Sequence, residues 1–481
     1  MGRRKKKLNV LHAVSEAVPF IATGGMGQVA GALTKSLAEN NPDIDIRVVA
    51  PLYSQFRDKY EPQMKFLGAT EVSLAWRLLY CGIYEMVFEG VTYYFVDNRH
   101  YFDREQTYGH FDDGERFAFF SKAVFKVIEM SDFTPDVVHS HDWQTALVPV
   151  YLKTHYSGMY PSMKTVFTIH NMEYQGKNPS DLLYDVFDLY EGSRGVVEYD
   201  DCINLMKGAI VCSDKITTVS PSYASEIQVS GGYGLEAIIR ENSYKLVGII
   251  NGIDTQIYDP STDPILTKKY SVDDLSGKGS NKRKLQTLFG LPKSPRKMLI
   301  CVVSRLVSHK GIDLITYILD DLLDMDVQFL LLGTGDHDYE LFFEDRAVHN
   351  PSKVAVSIAF NPEIAGMIYA GADVLLMPSR NEPCGLSQMI ACRYGTIPIV
   401  RKTGGLGDTI RDCRSGNGNG FVFEHYTAGA LLETISHALD LYKYHSEDWV
   451  NLMREAMTCD FGWEISARAY ADLYKELVAG E

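Results

Sequence analysis

Short β-branched runs alternate with longer amphipathic stretches along the whole sequence, in two separate series. The first comprises residues 8–14, 46–50, 137–140, 165–169, 215–219 and 246–250; the second comprises 298–303, 327–332, 354–357, 374–377 and 397–400. Alternation of this kind buries parallel strands under helices, because each parallel connection must cross over the sheet. The expected fold class is therefore α/β, with two Rossmann-like, doubly wound domains. A polar stretch running from Asn251 through Asp254 and Pro260 to Lys284 separates the two series. A chain of 481 residues also suits two domains better than one core. The expected division assigns residues 1–259 to the first domain, with 462–481 returning to pack on it, and 260–461 to the second. Ligands of such sheets bind beyond the carboxyl ends of the strands, where loops expose backbone N–H groups at helix starts. Two domains of this kind imply a cleft between them.

Composition removes several classes of function. Hydrophobic residues make up 46% and charged residues 23%, the balance of a globular protein, and no apolar run approaches the roughly 20 residues of a membrane-spanning helix. No membrane association is expected. The net charge of −15 opposes binding to a nucleic-acid backbone, so nucleic acid is not an expected partner either. The eight cysteines show neither a CxxC pair nor a histidine at metal-ligand spacing, so neither a zinc site nor a disulfide framework is indicated, and a reducing cytoplasm fits. The basic start, Met1 to Lys7, reads as a solvated tail without a secretory signal.

Chemistry-bearing residues gather at the predicted strand ends. Thr23-Gly-Gly-Met-Gly27 and Thr403-Gly-Gly-Leu-Gly407 each follow an extended run and open a helix. Gly24 and Gly25, and likewise Thr403, Gly404 and Gly405, form turns tight enough to bring backbone amides to an anion, although either turn alone is equally well an ordinary strand-to-helix connection. Ser140-His-Asp-Trp143 and His170-Asn171 supply polar groups suited to neutral sugar hydroxyls. Arg305 and Lys310, at the mouth of a strand, are placed to clamp a diphosphate. Any one of these residues alone is ordinarily structural or solvated; it is the combination that points to a function.

That combination resembles the bacterial glycogen synthases and plant starch synthases, a family of GT-B glycosyltransferases. The similarity runs through SEAVPF, TGGMG, HDWQTALVPVYL, TIHNMEYQG, VSPSYASEI, GIINGID, SRLVSHKGIDL, PSRNEPCGLSQ, RKTGGLGDT and DFGWEISARAYADLY, which span nearly the whole chain. The resemblance implies two domains facing across a cleft. It further implies transfer of glucose from ADP-glucose, the co-substrate, to the non-reducing end of an α-1,4-glucan or maltooligosaccharide, with retention of configuration, no metal and no other cofactor. By the same resemblance Arg305 and Lys310 stabilise the departing diphosphate, and Glu382 lies by the transferred glucose. Amides around Cys384, Gly385 and Leu386 meet its hydroxyls, Thr403 to Gly405 approach the phosphates, and Phe360 stacks on adenine. Asp142, His170, Asn171 and Asn251 complete the sugar pocket from the first domain, with Asp142 and His170 counted among the catalytic set.

The sequence also departs from the family pattern. Ala22 stands where the family's first glycine-rich loop carries a lysine, Gln28 replaces its usual Asp, Gln144 replaces a second histidine, and Glu105-Gln106-Thr107 replaces a Pro-Gly pair. Loss of one charge-assisted contact costs about 1.5–3 kcal/mol. These departures leave open a weakened or regulatory glucan-binding homologue, and the base contact leaves open UDP-glucose as donor. Because the Thr23-Gly-Gly turn is kept, Ala22→Lys is expected to raise kcat/KM for the sugar nucleotide. Unchanged or lower kcat/KM together with a lower melting temperature would show instead that the loop has been rebuilt around Ala22.

Overall fold

The computed structural model describes residues 7–480, so most of the basic start lies outside the described residues. The chain forms two compact units. One holds the residues up to Gly252 together with those from Trp463 onward, and the other spans Ile253–Gly462. The boundaries thus lie at 252/253 and 462/463, the first somewhat earlier than the expected 259/260. Among the described residues no helix is long and apolar enough to cross a membrane.

The first unit is built on a nine-stranded sheet. Its strands are β1 (Leu8–Ala13), β2 (Ile44–Pro51), β3 (Lys65–Leu74), β4 (Arg77–Phe88), β5 (Val91–Asp97), β6 (Val137–His141), β7 (Lys164–Ile169), β8 (Lys215–Thr218) and β9 (Leu246–Gly248). Their spatial order is β9-β8-β7-β6-β1-β2-β5-β4-β3. All pairings are parallel except those of β4 with β3 and β5. The expected parallel sheet therefore carries an antiparallel hairpin at one edge. The hairpin strands are solvated over much of their length, with exposed Phe66, Leu78 and Val87, and so lack the uninterrupted apolar run by which a buried parallel strand is recognised.

One sheet face is covered by the helix Trp463–Ala479. Val10, Val137 and Val166 of adjacent strands pack with Trp463, Tyr470, Tyr474 and Leu477 of that helix, and Val29, Leu33 and Leu37 of the helix Gly25–Asn40 join the same cluster. Burying a side chain of this size contributes about 1.5–3 kcal/mol.

The second unit contains six strands, all parallel: β10 (Met298–Val303), β11 (Val327–Gly333), β12 (Val354–Ile358), β13 (Val374–Met377), β14 (Ile397–Arg401) and β15 (Phe421–Phe423), in the order β12-β11-β10-β13-β14-β15. Ile312, Ile315, Leu319 and Leu322, on one face of the helix Ile312–Asp324, pack on Ile300, Val302, Phe329 and Leu331.

In both sheets the winding reverses beside the first strand. The chain moves one way from β1 through β2 to β5 and then returns to β6 on the other side. From β10 it moves through β11 to β12 and returns to β13. Loops leaving β1 and β6, or β10 and β13, therefore diverge and open a crevice at the carboxyl edge. The backbone after β10 is held from the side: Ser304 N–H donates to Leu332 O at 3.2 Å and Leu306 N–H to Thr334 O at 2.9 Å. Gly333 makes this approach possible, because a Cβ built there would lie 1.9 Å from Ser304 O. Gly333→Ala is expected to destabilise the second unit by about 1–3 kcal/mol through overpacking against backbone and to displace Arg305. Thermal melting checks the first effect, and an unchanged melting temperature would show that the strand end shifts freely.

Candidate functional site

In the second unit the residues expected to act lie on the loops leaving β10 and β13, on either side of the winding reversal. Ser308–Lys310 form one short turn that ends at Gly311, whose φ of +75° is left-handed. A Cβ at Gly311 would sit 2.2 Å from Pro378 O, so glycine is what lets the two loops touch. The contact brings Lys310 to Glu382: the ammonium donates to Oε1 at 2.9 Å and to Oε2 at 2.7 Å. Ser379 Oγ donates to the same Oε2 at 3.0 Å, and Glu382 is buried. Arg305 is exposed, and none of the described side chains pairs with its guanidinium. One cation is thus held by a buried carboxylate while the other is presented to solvent.

The second glycine-rich turn packs against the same loop. Gly405 N–H is shared between Glu382 O at 3.2 Å and Pro383 O at 3.1 Å. A Cβ on Gly404, whose φ is +43°, would meet Glu382 O at 2.1 Å, and one on Gly405 would meet Cys384 O at 2.3 Å. These two glycines are therefore required first by close packing on the segment that carries Glu382. Thr403 is buried at the start of the helix Gly404–Thr409. Gln388 Nε2 donates to Cys384 O and Gly385 O at 3.0 and 2.9 Å and fixes the start of the helix Ser387–Arg393, which follows Leu386. Phe360, after β12, is 83% exposed.

In the first unit Asp142 follows β6 with a φ of +54°, a conformation costing of order 1–3 kcal/mol in a residue other than glycine. Its Oδ1 accepts the His170 N–H at 2.7 Å, and the carboxyl also receives the Asn171 N–H. Burial pushes the carboxyl up to about 7 against these favourable bonds. Burial also lowers His170 to about 3, which makes it a neutral imidazole at ordinary pH. Asn171 Oδ1 accepts Glu173 N–H at 3.0 Å, whereas Asn251 is buried and its Oδ1 meets no donor among the described residues. Gln144 Oε1 is in the same condition.

The first glycine-rich turn is occupied by its own chain. Thr23 N–H and the Gly24 amide donate to the carboxylate of Glu16, Thr23 Oγ1 donates to Glu16 Oε1 at 3.0 Å, and Tyr108 OH donates to the same oxygen at 2.9 Å. Gly25 opens the following helix, exposed and with open space around it. Ala22 and Gln28 are exposed. The structure thus brings together Asp142, His170 and Asn171, and separately Lys310, Glu382, Cys384, Gly404 and Gly405. Arg305, Phe360 and Asn251 make no side-chain hydrogen bond or ion pair within these groups.

Sequence reasoning missed Glu16, Tyr108 and Ser379 as supports of these loops. It also missed buried His12 and His139, although histidines at alternate positions of an otherwise apolar strand were a visible signal.

Comparison with known proteins agrees with this architecture. Residues 9–241 match the starch synthase catalytic domain, and residues 286–454 match the glycosyl transferases group 1. The glycogen synthase of Bacillus anthracis is 46% identical over 479 residues, covering 98% of this chain and 100% of that protein. The glycogen synthase of Geobacillus stearothermophilus is 46% identical over 482 residues, covering 98% and 99%. The solved catalytic domain of starch synthase IV from Arabidopsis thaliana, bound to ADP and acarbose, superimposes with a TM-score of 0.91 at 34% identity and covers 98% of this chain and 100% of that one. Sucrose-phosphate synthase from Thermosynechococcus elongatus shares the fold alone, with a TM-score of 0.63 at 16% identity. With two doubly wound units, near-complete coverage by glycogen synthases and this structural likeness, the chain belongs to the glycogen synthase and starch synthase family of GT-B glucosyltransferases.

Proposed function

We propose that the protein transfers glucose from ADP-glucose to the 4-hydroxyl at the non-reducing end of an α-1,4-glucan, with retention of configuration. The observation that carries this reading is the pairing of Lys310 with Glu382 at the winding reversal of the second sheet, beside an Arg305 without a side-chain partner. A diphosphate leaving group needs cations where its charge develops, and a positioned carboxylate beside them suits the transferred sugar. Lys310 and Arg305 take the part that a divalent ion plays elsewhere, so we assign no metal or further cofactor to the reaction. ADP, rather than another nucleotide, follows from the ADP held by the Arabidopsis relative, and exposed Phe360 offers a stacking face for its base. Glucan as acceptor follows from the names of the glycogen-synthase relatives.

Retention requires either a double displacement or substitution on one face. Asp142 holds two backbone amides, and Glu382 is tied by Lys310 and Ser379; neither carboxylate is presented as a bare nucleophile. Same-face substitution is the reading we adopt: the leaving phosphate accepts the proton of the incoming hydroxyl while Arg305 and Lys310 offset its charge. The neutral His170 and the unsatisfied Asn251 Oδ1 are assigned to sugar hydroxyls, which need uncharged donors and acceptors.

Coupled assays with glycogen should show turnover from ADP-glucose well above that from UDP-glucose, unaffected by a chelator. Lys310→Ala should lose about a hundredfold or more in kcat, since removing a cation from a developing charge costs about 2.7–4 kcal/mol; undiminished activity would refute its role. Asp142 yields a separate expectation. Its folded-state value of about 7 lies above the ordinary 3.8, so its contribution to stability is full below 3.8 and is lost as pH rises toward about 7. If the ionised form accepts a sugar hydroxyl, kcat/KM rises with pH through the same value. Asp142→Asn should flatten both the rate limb and that segment of the melting-temperature profile, and persistence of both limbs would assign them to another group.

A further inference from the structure

Four histidines of the first unit lie on one continuous path. His12 on β1 is paired in register with His139 on β6, and His141, two residues on, is opposite Thr168 on β7, which is opposite Thr217 on β8. By strand alternation all five side chains point to the face covered by the helix Trp463–Ala479. His12, His139, His141, Thr168 and Thr217 are fully buried. Tyr474 of that helix, also fully buried, reaches down between two of the rings, 2.7 Å from His139 Nδ1 and 3.3 Å from His12 Nε2. The remaining contacts are His12 Nδ1 to His141 Nε2 at 3.1 Å, His141 Nδ1 to His170 Nε2 at 3.0 Å, His139 Nε2 to Thr168 Oγ1 at 2.5 Å, and Thr168 Oγ1 to Thr217 Oγ1 at 2.5 Å. A polar chain therefore runs unbroken from Thr217 through Thr168, His139, Tyr474, His12 and His141 to His170.

We infer that this chain acts as one hydrogen-bonded unit that sets the tautomer of His170, with Tyr474 as a positioning residue for it. A neutral imidazole has one donor and one acceptor nitrogen, and a hydroxyl has one proton to give, so each link constrains the next. Only two arrangements pair every group. In one, Thr217 donates to Thr168, Thr168 to His139, His139 to Tyr474, Tyr474 to His12, His12 to His141 and His141 to His170, so that the proton of His170 sits on Nδ1. In the other every bond is reversed, His170 donates from Nε2, and its Nδ1 presents a lone pair. Conversion between them shifts one proton along each link while a proton enters at Thr217 and another leaves His170 Nδ1, so the two arrangements carry the same net charge. A mixed arrangement either sets two donors or two lone pairs against each other, or has a hydroxyl accept from both sides and strands that hydroxyl's own proton in a dry interior. Burial keeps the rings neutral, His12 being lowered to about 3 and His139 and His141 well below their ordinary value.

His12, His139 and His141 also lie close enough together to hold a metal ion. However, all six of their ring nitrogens are already committed to one another, to Tyr474, to Thr168 or to His170, and the hydroxyls between them are poor metal ligands. The tautomer matters because His170 is the member of the chain that leaves the sheet, beside Asp142. Whether its Nδ1 offers a proton or a lone pair decides which orientation of a sugar hydroxyl it accepts. This last step rests on the glucosyl-transfer reading, but the state of the ring does not.

The test is imidazole nitrogen-15 NMR of the full-length protein, which distinguishes the tautomers directly. The wild type should show His170 in one predominant tautomer. Tyr474→Phe keeps the ring but removes the hydroxyl that joins His139 to His12, and should change the His170 tautomer ratio at least fivefold. Its kcat should fall threefold to tenfold, while the KM for ADP-glucose stays within twofold. Thr217→Val, at the far end, should move the ratio in the same manner, and Thr217→Ser should restore it, which keeps the test open should Tyr474→Phe fail to fold. An unchanged His170 signal in both variants would overturn the proposal. So would stoichiometric metal in the purified protein with a metal-dependent gain in melting temperature. Altered tautomers with unchanged kcat would uphold the chain and reject the sugar-contact reading of His170.

Discussion

A parallel sheet cannot send consecutive strands off in one direction indefinitely, and in both units the chain returns to the far side of its first strand. The loops that leave the two strands on either side of this reversal bound a crevice at the strand ends and can be bridged only where they touch. In the second unit everything assigned to chemistry hangs on that crevice. Lys310 reaches Glu382 only because the loop after β10 touches the loop after β13 at Gly311 and Pro378. The turn at Gly404 and Gly405 then presses on the Glu382 segment from β14. Three successive strand ends thus share one small volume, and glycines stand at the contacts because any side chain there would strike a carbonyl.

In each unit a candidate anion-binding group is already paired with a carboxylate of its own chain. The glycine-rich turn of the first unit donates to Glu16, and Lys310 donates to Glu382. Such pairs keep buried charges from the full cost of desolvation. They also mean that an incoming anion must exchange with a carboxylate already in position rather than enter an empty cradle. In a chain with net charge −15 this arrangement confines attraction for anions to a few named atoms.

Much of this was legible in the sequence where the signal was local. Most buried strands declared themselves by β-branched runs, and the Arg305, Lys310 and Glu382 segments by their place after such runs; β5, though buried, did not, because Tyr93, Tyr94 and Phe95 fill its middle. The edge hairpin of β3 and β4 did not, because solvent on its outer positions mixes polar residues into the strands. The short β15, only Phe421–Phe423, fell below any periodicity. Gly404 and Gly405 read from the sequence as permissive residues of an anion-binding turn; that the carbonyls of Glu382 and Cys384 also approach them closely is a tertiary contact with no local signal. The histidine chain was hidden for a different reason. Its members come from four strands and a distant helix, and no one-dimensional pattern records that they share a face.

The helix Trp463–Ala479 has a consequence for how the molecule is made. It closes the first sheet, yet it is encoded after the whole of the second unit. During synthesis the face bearing Val10, His12, His139 and Val166 therefore leaves the ribosome early, with only the helix Gly25–Asn40 to cover part of it, while Ile253–Gly462 is translated. Until Tyr474 arrives, the rings of His12 and His139 lack the hydroxyl that joins them. The first unit completes its interior last, after its neighbour has had time to fold, and the final turns of the chain convert an open sheet into a dry one.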